Sequence, residues 1–255
     1  MATATSNVFD RLGLTQIEKI PVQKRVIWSI EGVEKSGKTH LSLTAPGPLA
    51  YLDIDIGSEG VVDKMPRTDV FMRRYLYARD IRKGYEQLKA ASKVLWSQFV
   101  NDYYELLEAS KQPGGPRTIV MDTATDFFNL CLNAHLGKEV QIMPAERTAA
   151  NNAYGSLIKA AYAYNANLLM VHQMQPEYDN KTHLERKGFN KTGFLVQTCV
   201  QTQRKKPPNQ NEFEYKVTLC RANTGLEGET FDGRMYDFAT LAETIVEGSN
   251  VEDWQ

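Results

Sequence analysis

The sequence predicts an α/β fold: a mostly parallel sheet flanked by helices, with an antiparallel β extension toward the C-terminal end. Three observations predict it. Short, uninterrupted apolar runs alternate with segments of helical periodicity between residues 26 and 172. Runs that are apolar throughout suit strands buried on both faces, as in a parallel sheet covered by helices. After residue 194 the pattern changes to period-two alternation, over 195–203 and 213–220, as in an antiparallel pair.

The elements follow in order. Residues 26–30 read as a β-rich run entering a Gly/Ser/Lys turn, and 38–44 as a helix stopped by Ala45-Pro46-Gly47-Pro48. Residues 49–54 form a second strand and 70–75 a weaker third. Leu88, Leu95, Phe99, Tyr103, Leu106 and Leu107 recur at helical spacing, so 82–110 holds one or two helices. Pro113-Gly114-Gly115-Pro116 marks a turn. A short apolar strand over 118–121, helices over 127–136 and 147–166, and a strand over 168–172 complete the alternation. The turn over 205–211, with Pro207-Pro208 inside it, joins the last two strands.

Composition bounds the function. The 255 residues carry 30 basic and 31 acidic side chains, so any nucleic-acid contact has to come from a local patch. Cys131, Cys199 and Cys220 are scattered, without the spacing of a disulfide framework or zinc site. They suit a reducing compartment. No apolar run approaches the length of about 20 residues that a membrane span needs. Residues 1–7 contain no apolar signal core, so a cytoplasmic protein with no membrane partner is expected. The chain divides into an N-terminal arm (1–23), one α/β domain (24–241) and an acidic tail (242–255). The tail holds Glu243, Glu247, Glu252 and Asp253 with no Lys or Arg. It is expected to be a solubilising end, with competition against DNA or recruitment through Trp254 as its functional readings.

Gly32-Val33-Glu34-Lys35-Ser36-Gly37-Lys38-Thr39 matches the phosphate-binding pattern G-x-x-x-x-G-K-[ST] in full. The two glycines allow backbone angles that let loop N–H groups face phosphate oxygens. Lys38 reaches the β- and γ-phosphates, and the Thr39 hydroxyl suits Mg²⁺. His40 follows as the last residue of the candidate nucleotide contact. The expected strand before the loop and helix after it are the context the motif requires.

Thr118-Ile119-Val120-Met121-Asp122 supplies the second acidic element, with Asp122 toward the metal and Thr123 and Thr125 placed to hold it. Asp122 also reads as a helix N-cap. Asp53, Asp55 and Glu59 are candidates for activating a water, because they lie at or after the end of a strand. A solvated acidic loop is the alternative. His172 and Gln173 end the strand over 168–172, as γ-phosphate sensors or as polar groups bonded within the core.

With these motifs in this order, the chain resembles the small phage RecA-like P-loop ATPases of single-strand annealing and recombination. The likeness spans residues 26 to 232, and its most specific part is the phosphate loop. The resemblance implies ATP and Mg²⁺ as cofactors, with Asp55 as the acid that activates water, although the recombinases commonly have Glu there. It implies single-stranded DNA in a channel lined by the segments 135–147 and 174–194. It also implies a homo-oligomeric ring or filament, in which Lys216 or Arg221 of a neighbour reaches the ATP and Val8-Phe9 of the arm can dock. A single-strand-binding or recombination protein is the further implied partner. The segment 174–206 holds seven basic and three acidic residues, with Tyr178 and Phe189 among them. Lys181, Arg186, Lys187 and Lys191 are therefore the candidate DNA contacts.

Two rival functions remain at this point. A small-molecule P-loop kinase needs a basic lid, for which Arg186 and Lys187 are weak material. A nucleotide-dependent assembly protein needs little turnover and would differ in phosphate release. A GTPase is disfavoured, because Asn190-Lys191-Thr192-Gly193 lacks the final Asp that accepts from guanine.

Overall fold

The computed structural model describes Leu12 and residues 24–76, 84–137, 142–177, 184–204 and 212–255. The arm apart from Leu12, the candidates Tyr178 and Lys181, and the turn over 205–211 lie outside the described residues.

The elements are β1 (Ile27–Gly32), α1 (Lys38–Leu43), β2 (Leu49–Asp53), β3 (Val70–Arg74), α2 (Tyr85–Ala109), β4 (Thr118–Asp122), α3 (Ala124–Leu136), α4 (Thr148–Tyr164), β5 (Asn167–Pro176), β6 (Leu184–Arg186), α5 (Thr192–Leu195), β7 (Thr198–Arg204), β8 (Phe213–Cys220), β9 (Thr230–Asp232) and α6 (Phe238–Ile245). The sheet runs β3-β2-β4-β5-β1-β7-β8-β9, with β6 paired to β5. From β3 to β7 all neighbours are parallel; β8, β9 and β6 pair antiparallel. The expected α/β class with its antiparallel extension is present.

Alternation along the strands sorts the core into two layers. Ile27, Leu52, Ile119, Met121, Leu168 and Met170 face α2, α3 and α4. Trp28, Ile30, Tyr51, Val120, Leu169 and Val171 face α1 and α6. On the first face, Leu88, Ser92, Trp96, Phe99, Tyr103 and Leu107 form the buried stripe of a single long α2. Phe99 stacks on Phe127 with ring centroids 4.1 Å apart. Thr123 caps α3 by accepting from the Asp126 N–H, and Gly137 ends it at φ 72°.

The C-terminal segment departs from the expected free acidic tail. Helix α6 crosses the boundary at residue 242 and buries Phe238, Leu241, Ala242 and Ile245. Trp254 is buried, with its indole N–H donating to Ser249 Oγ at 3.0 Å. Asp253 pairs with Lys24 at 2.8 Å. The apolar spacing of α6 and the area of the indole outweigh the charge of the segment. Two strand limits also shift. β5 runs on to Pro176, and residue 195 belongs to the short turn α5 rather than to β7.

Candidate functional site

The phosphate-loop motif leaves the C-terminal end of β1 and enters α1. Gly32 has no room for a side chain: a Cβ there would stand 2.8 Å from the Thr202 carbonyl oxygen and nearer still to the Ser36 and Thr202 hydroxyls. Those two hydroxyls bond to each other at 2.7 Å, tying the loop to β7. Lys35 (φ 59°) and Gly37 (φ 98°) turn the chain through the left-handed region, and Gly37 begins α1. The loop therefore turns sharply between β1 and α1 at two left-handed positions, the kind of backbone a phosphate-binding loop uses.

Lys38 Nζ donates to the Val33 carbonyl at 2.7 Å. Burial lowers its pKa, opposed by the nearby charges of Asp122, Asp55 and Glu34. Thr39 Oγ1 donates to Asp122 Oδ2 at 3.0 Å. Tyr51, one strand away on β2, donates its hydroxyl to the same oxygen. Asp122 is buried at the end of β4, and burial pushes its carboxyl up to about 6 despite the bonds from Tyr51 and Thr39. The N-cap of α3 is Thr123, not Asp122, which leaves Asp122 facing the loop.

The three acids after β2 separate by environment. Asp53 is buried in register with Asp122; it accepts from Ser58 Oγ at 2.6 Å and pairs with Arg74 at 3.4 Å. Burial raises its pKa, with Ser58 and Arg74 opposing. Glu59 is held by Arg74 at 2.8 Å. Asp55 is half-buried just beyond the strand and acts electrostatically on Lys38.

His40 is exposed, with its ring 5.8 Å from that of Phe213, which also lies against Gly37. His172 is fully buried, in register with Glu31. Ser29 Oγ donates to Glu31 Oε1 at 2.8 Å and stands 2.9 Å from His172 Nδ1, so Nδ1 carries the imidazole proton. Burial drops the His172 pKa to about 3, so the ring is neutral. Gln173 reaches Asp126 at 3.4 Å.

The candidate DNA contacts differ among themselves. Arg186 forms a close ion pair with Glu31, and both are largely buried. Phe189 is not offered for stacking on bases: it is buried against Phe128 and Tyr154. An aromatic in a basic segment went to the core because α3 and α4 leave an apolar recess there. Lys187 is half-buried and Lys191 exposed. Arg221 follows β8 at the end of the sheet opposite the phosphate loop, with its guanidinium donating to the carbonyls of Val196 and Gly193. It does not meet the loop of its own chain.

Sequence reasoning missed Tyr51, Glu31, Thr202 and Phe213. Only Glu31 had a visible signal, an acid ending an apolar strand just before the loop. The others join the site through strand order.

No protein-family model matches the chain, and no curated protein matches it. Among solved structures it is similar to the RadB recombinase, with a TM-score of 0.49 and 12% identity over 91% of this chain and 94% of that one. It is also similar to a KaiC-like protein from the hyperthermophilic archaeon Pyrococcus horikoshii, with a TM-score of 0.45 and 9% identity over 81% and 84%. In this chain's own sheet, β5 lies between the loop strand β1 and the acidic strand β4. With the loop geometry, that order gives a P-loop α/β fold in which one strand separates the loop strand from the acidic strand.

Proposed function

We propose that the chain binds ATP with Mg²⁺ at the loop from Gly32 to Thr39, hydrolyses it, and couples that cycle to single-stranded DNA in recombination or annealing. The observation that carries the nucleotide reading is the Thr39–Asp122 hydrogen bond at 3.0 Å beside Lys38. A hydroxyl and one carboxylate, with phosphate oxygens and water completing the shell, suit a hard six-coordinate ion. Among the described residues no cluster of three or more His, Cys, Asp or Glu offers a rival all-protein metal site.

Bound Mg²⁺ would neutralise charge on the phosphates. The chain's own residues do the rest. The loop N–H groups from Val33 to His40 orient the phosphates. Lys38 exchanges the Val33 carbonyl for a phosphate oxygen. Asp55 is the candidate to orient the attacking water, since Asp53 and Glu59 are held by Ser58 and Arg74. His172, neutral and enclosed, ties β5 to the neighbouring β1 through Ser29, and Gln173 is the better-placed sensor because it is not fully buried.

For DNA, the reading is supported by the exposed Lys191 and the half-buried Lys187, with Lys181 in the same segment. Arg186 belongs to the framework. Assembly into a ring or filament accommodates Arg221, which is too far from its own loop to act there and would have to leave the carbonyls of Val196 and Gly193 to reach a neighbouring copy. Among the described residues no helix is long and apolar enough to cross a membrane.

The test is phosphate release from Mg-ATP with and without single-stranded DNA, with Lys38→Ala as the blank. DNA-stimulated release that disappears in the variant is expected. Slow, unresponsive release with intact ATP binding would replace the motor with a nucleotide-switched assembly protein.

A further inference from the structure

Tyr51 stands in the middle of β2, paired with Val120 of β4, and is fully buried. Residues along β4 alternate between the two faces of the sheet, so Val120 and Asp122 share the face that α1 covers. A phenol on β2 therefore passes Val120 and donates its hydroxyl to the Asp122 carboxylate. The Ser42 and Thr39 hydroxyls of α1 lie beside the same group. Packing alone does not call for that hydroxyl: Phe would bury the same ring with no polar atom to satisfy. The bonds on Asp122 are one-sided. Thr39 Oγ1 and the Tyr51 hydroxyl both donate to Oδ2. Oδ1 takes no hydrogen bond among the described residues and keeps contact with solvent. Two donors on one oxygen fix the rotation of the carboxylate and leave the other oxygen to meet an ion. Thr39 is itself a candidate metal ligand, so its bond to Asp122 is not independent of the ion. Tyr51 is the enclosed donor that touches neither phosphate nor metal.

We infer that Tyr51 is a positioning residue of the Mg²⁺ site: its hydroxyl holds Asp122 Oδ2 and so presents Oδ1 to the ion. The inference rests on the Mg-ATP reading proposed above, and it gives that site a member on β2 that acts only through Asp122. Partners that hold a ligating carboxylate in this way set metal affinity by about tenfold to a hundredfold. Mg²⁺ is the ion most sensitive to such a change, because it demands a near-ideal octahedral shell.

The test is calorimetric titration of ATP into the full chain, with Mg²⁺ present and with the metal chelated. It compares wild type with Tyr51→Phe, Asp122→Ala, the Tyr51→Phe/Asp122→Ala double variant and Ser42→Ala. Thermal melts establish that each is folded. The quantity read is the gain in ATP affinity that Mg²⁺ brings. In Tyr51→Phe the gain should shrink by about tenfold, while affinity with the metal chelated stays at the wild-type value. In the Asp122→Ala background the same substitution should change nothing further, because Tyr51 acts through Asp122. Ser42→Ala removes a neighbouring hydroxyl that bonds the Thr39 carbonyl and not Asp122, and should keep the full gain. If Tyr51→Phe keeps the wild-type gain, or weakens ATP equally with and without Mg²⁺, Tyr51 only supports the fold; the inference is overturned while the Mg-ATP reading stands. A further loss on adding Tyr51→Phe to Asp122→Ala would likewise overturn it. If wild type itself gains nothing from Mg²⁺, the Mg-ATP reading fails and the inference fails with it.

Discussion

Thr39 Oγ1 and Asp122 Oδ2 stand 3.0 Å apart, joining the helix after the phosphate loop to the end of β4. The same carboxylate oxygen takes the Tyr51 hydroxyl. A buried acid so placed costs stability and is retained for the ion it would hold.

That cost is measurable. Asp122 shifts from the ordinary 3.8 to about 6, so the folded chain holds this proton more tightly than the unfolded chain does. The penalty is absent below about pH 4, grows between about pH 4 and 6, and is level above that. Asp122→Asn should therefore stabilise the ligand-free protein at pH 7.5 by about 2 kcal/mol, from roughly 1.4 kcal/mol per pKa unit with a discount for relaxation. The gain should vanish near pH 4, while the stabilisation conferred by Mg-ATP should be lost. Urea melts across pH, with and without Mg-ATP, give both numbers.

His172 works in the opposite direction over an overlapping range. Its folded pKa of about 3 lies below the ordinary 6.5, so the unfolded chain takes up a proton that the folded chain refuses. Stability is lost as pH falls from 6.5 toward 3, by up to about 1.4 kcal/mol per pH unit. His172→Gln should lower stability at pH 7.5, because the Ser29 contact is disturbed, yet flatten the loss between pH 6 and 4. An unchanged acid slope in the variant would mean that the ring is already charged or solvated.

Glu31 and Arg186 bind β1 to the β5–β6 hairpin across an interior where little water enters. Removing one partner strands the other. Arg186→Met should cost about 3 kcal/mol, and Glu31→Gln with Arg186→Met should recover most of it. A double-mutant cycle that comes out additive would show that the pair is not coupled. It would then return Arg186 to the candidate DNA contacts.

The buried C-terminus makes a simpler prediction. Trp254→Ala removes an indole that is 1% exposed, and should destabilise the fold by about 3 kcal/mol in a denaturant melt. A free tail would show no change.

The order of elements was legible because the physics there is local. The apolar runs at 49–53 and 118–122 end in acids, and the Gly32–Thr39 pattern carries its own strand and helix. The alternative reading of Asp122 as the cap of α3 falls one residue short: Asp122 and Thr123 are both good capping types, and Asp122 stays in β4 while Thr123 caps the helix. What depended on strand order was not legible. Tyr51 reaches Asp122 because β2 and β4 are neighbours, and Thr202 backs Gly32 because β7 lies beside β1. Charge counting misled twice within the basic segment: Arg186 pairs with an acid 155 positions away, and Phe189 closes a core recess. In the C-terminal segment the acids were counted, but the apolar spacing of Phe238, Leu241, Ala242 and Ile245 was not.

The account turns on the loop and Asp122 forming one nucleotide site. Isothermal titration of ATP into the full chain, with Mg²⁺ and again with the metal chelated, tests this most directly. Binding that weakens at least tenfold without Mg²⁺, and that loses its metal dependence in Asp122→Ala while Lys38→Ala abolishes it, is the predicted result. No ATP binding at millimolar concentration, or binding with the same affinity in all three proteins, would contradict it.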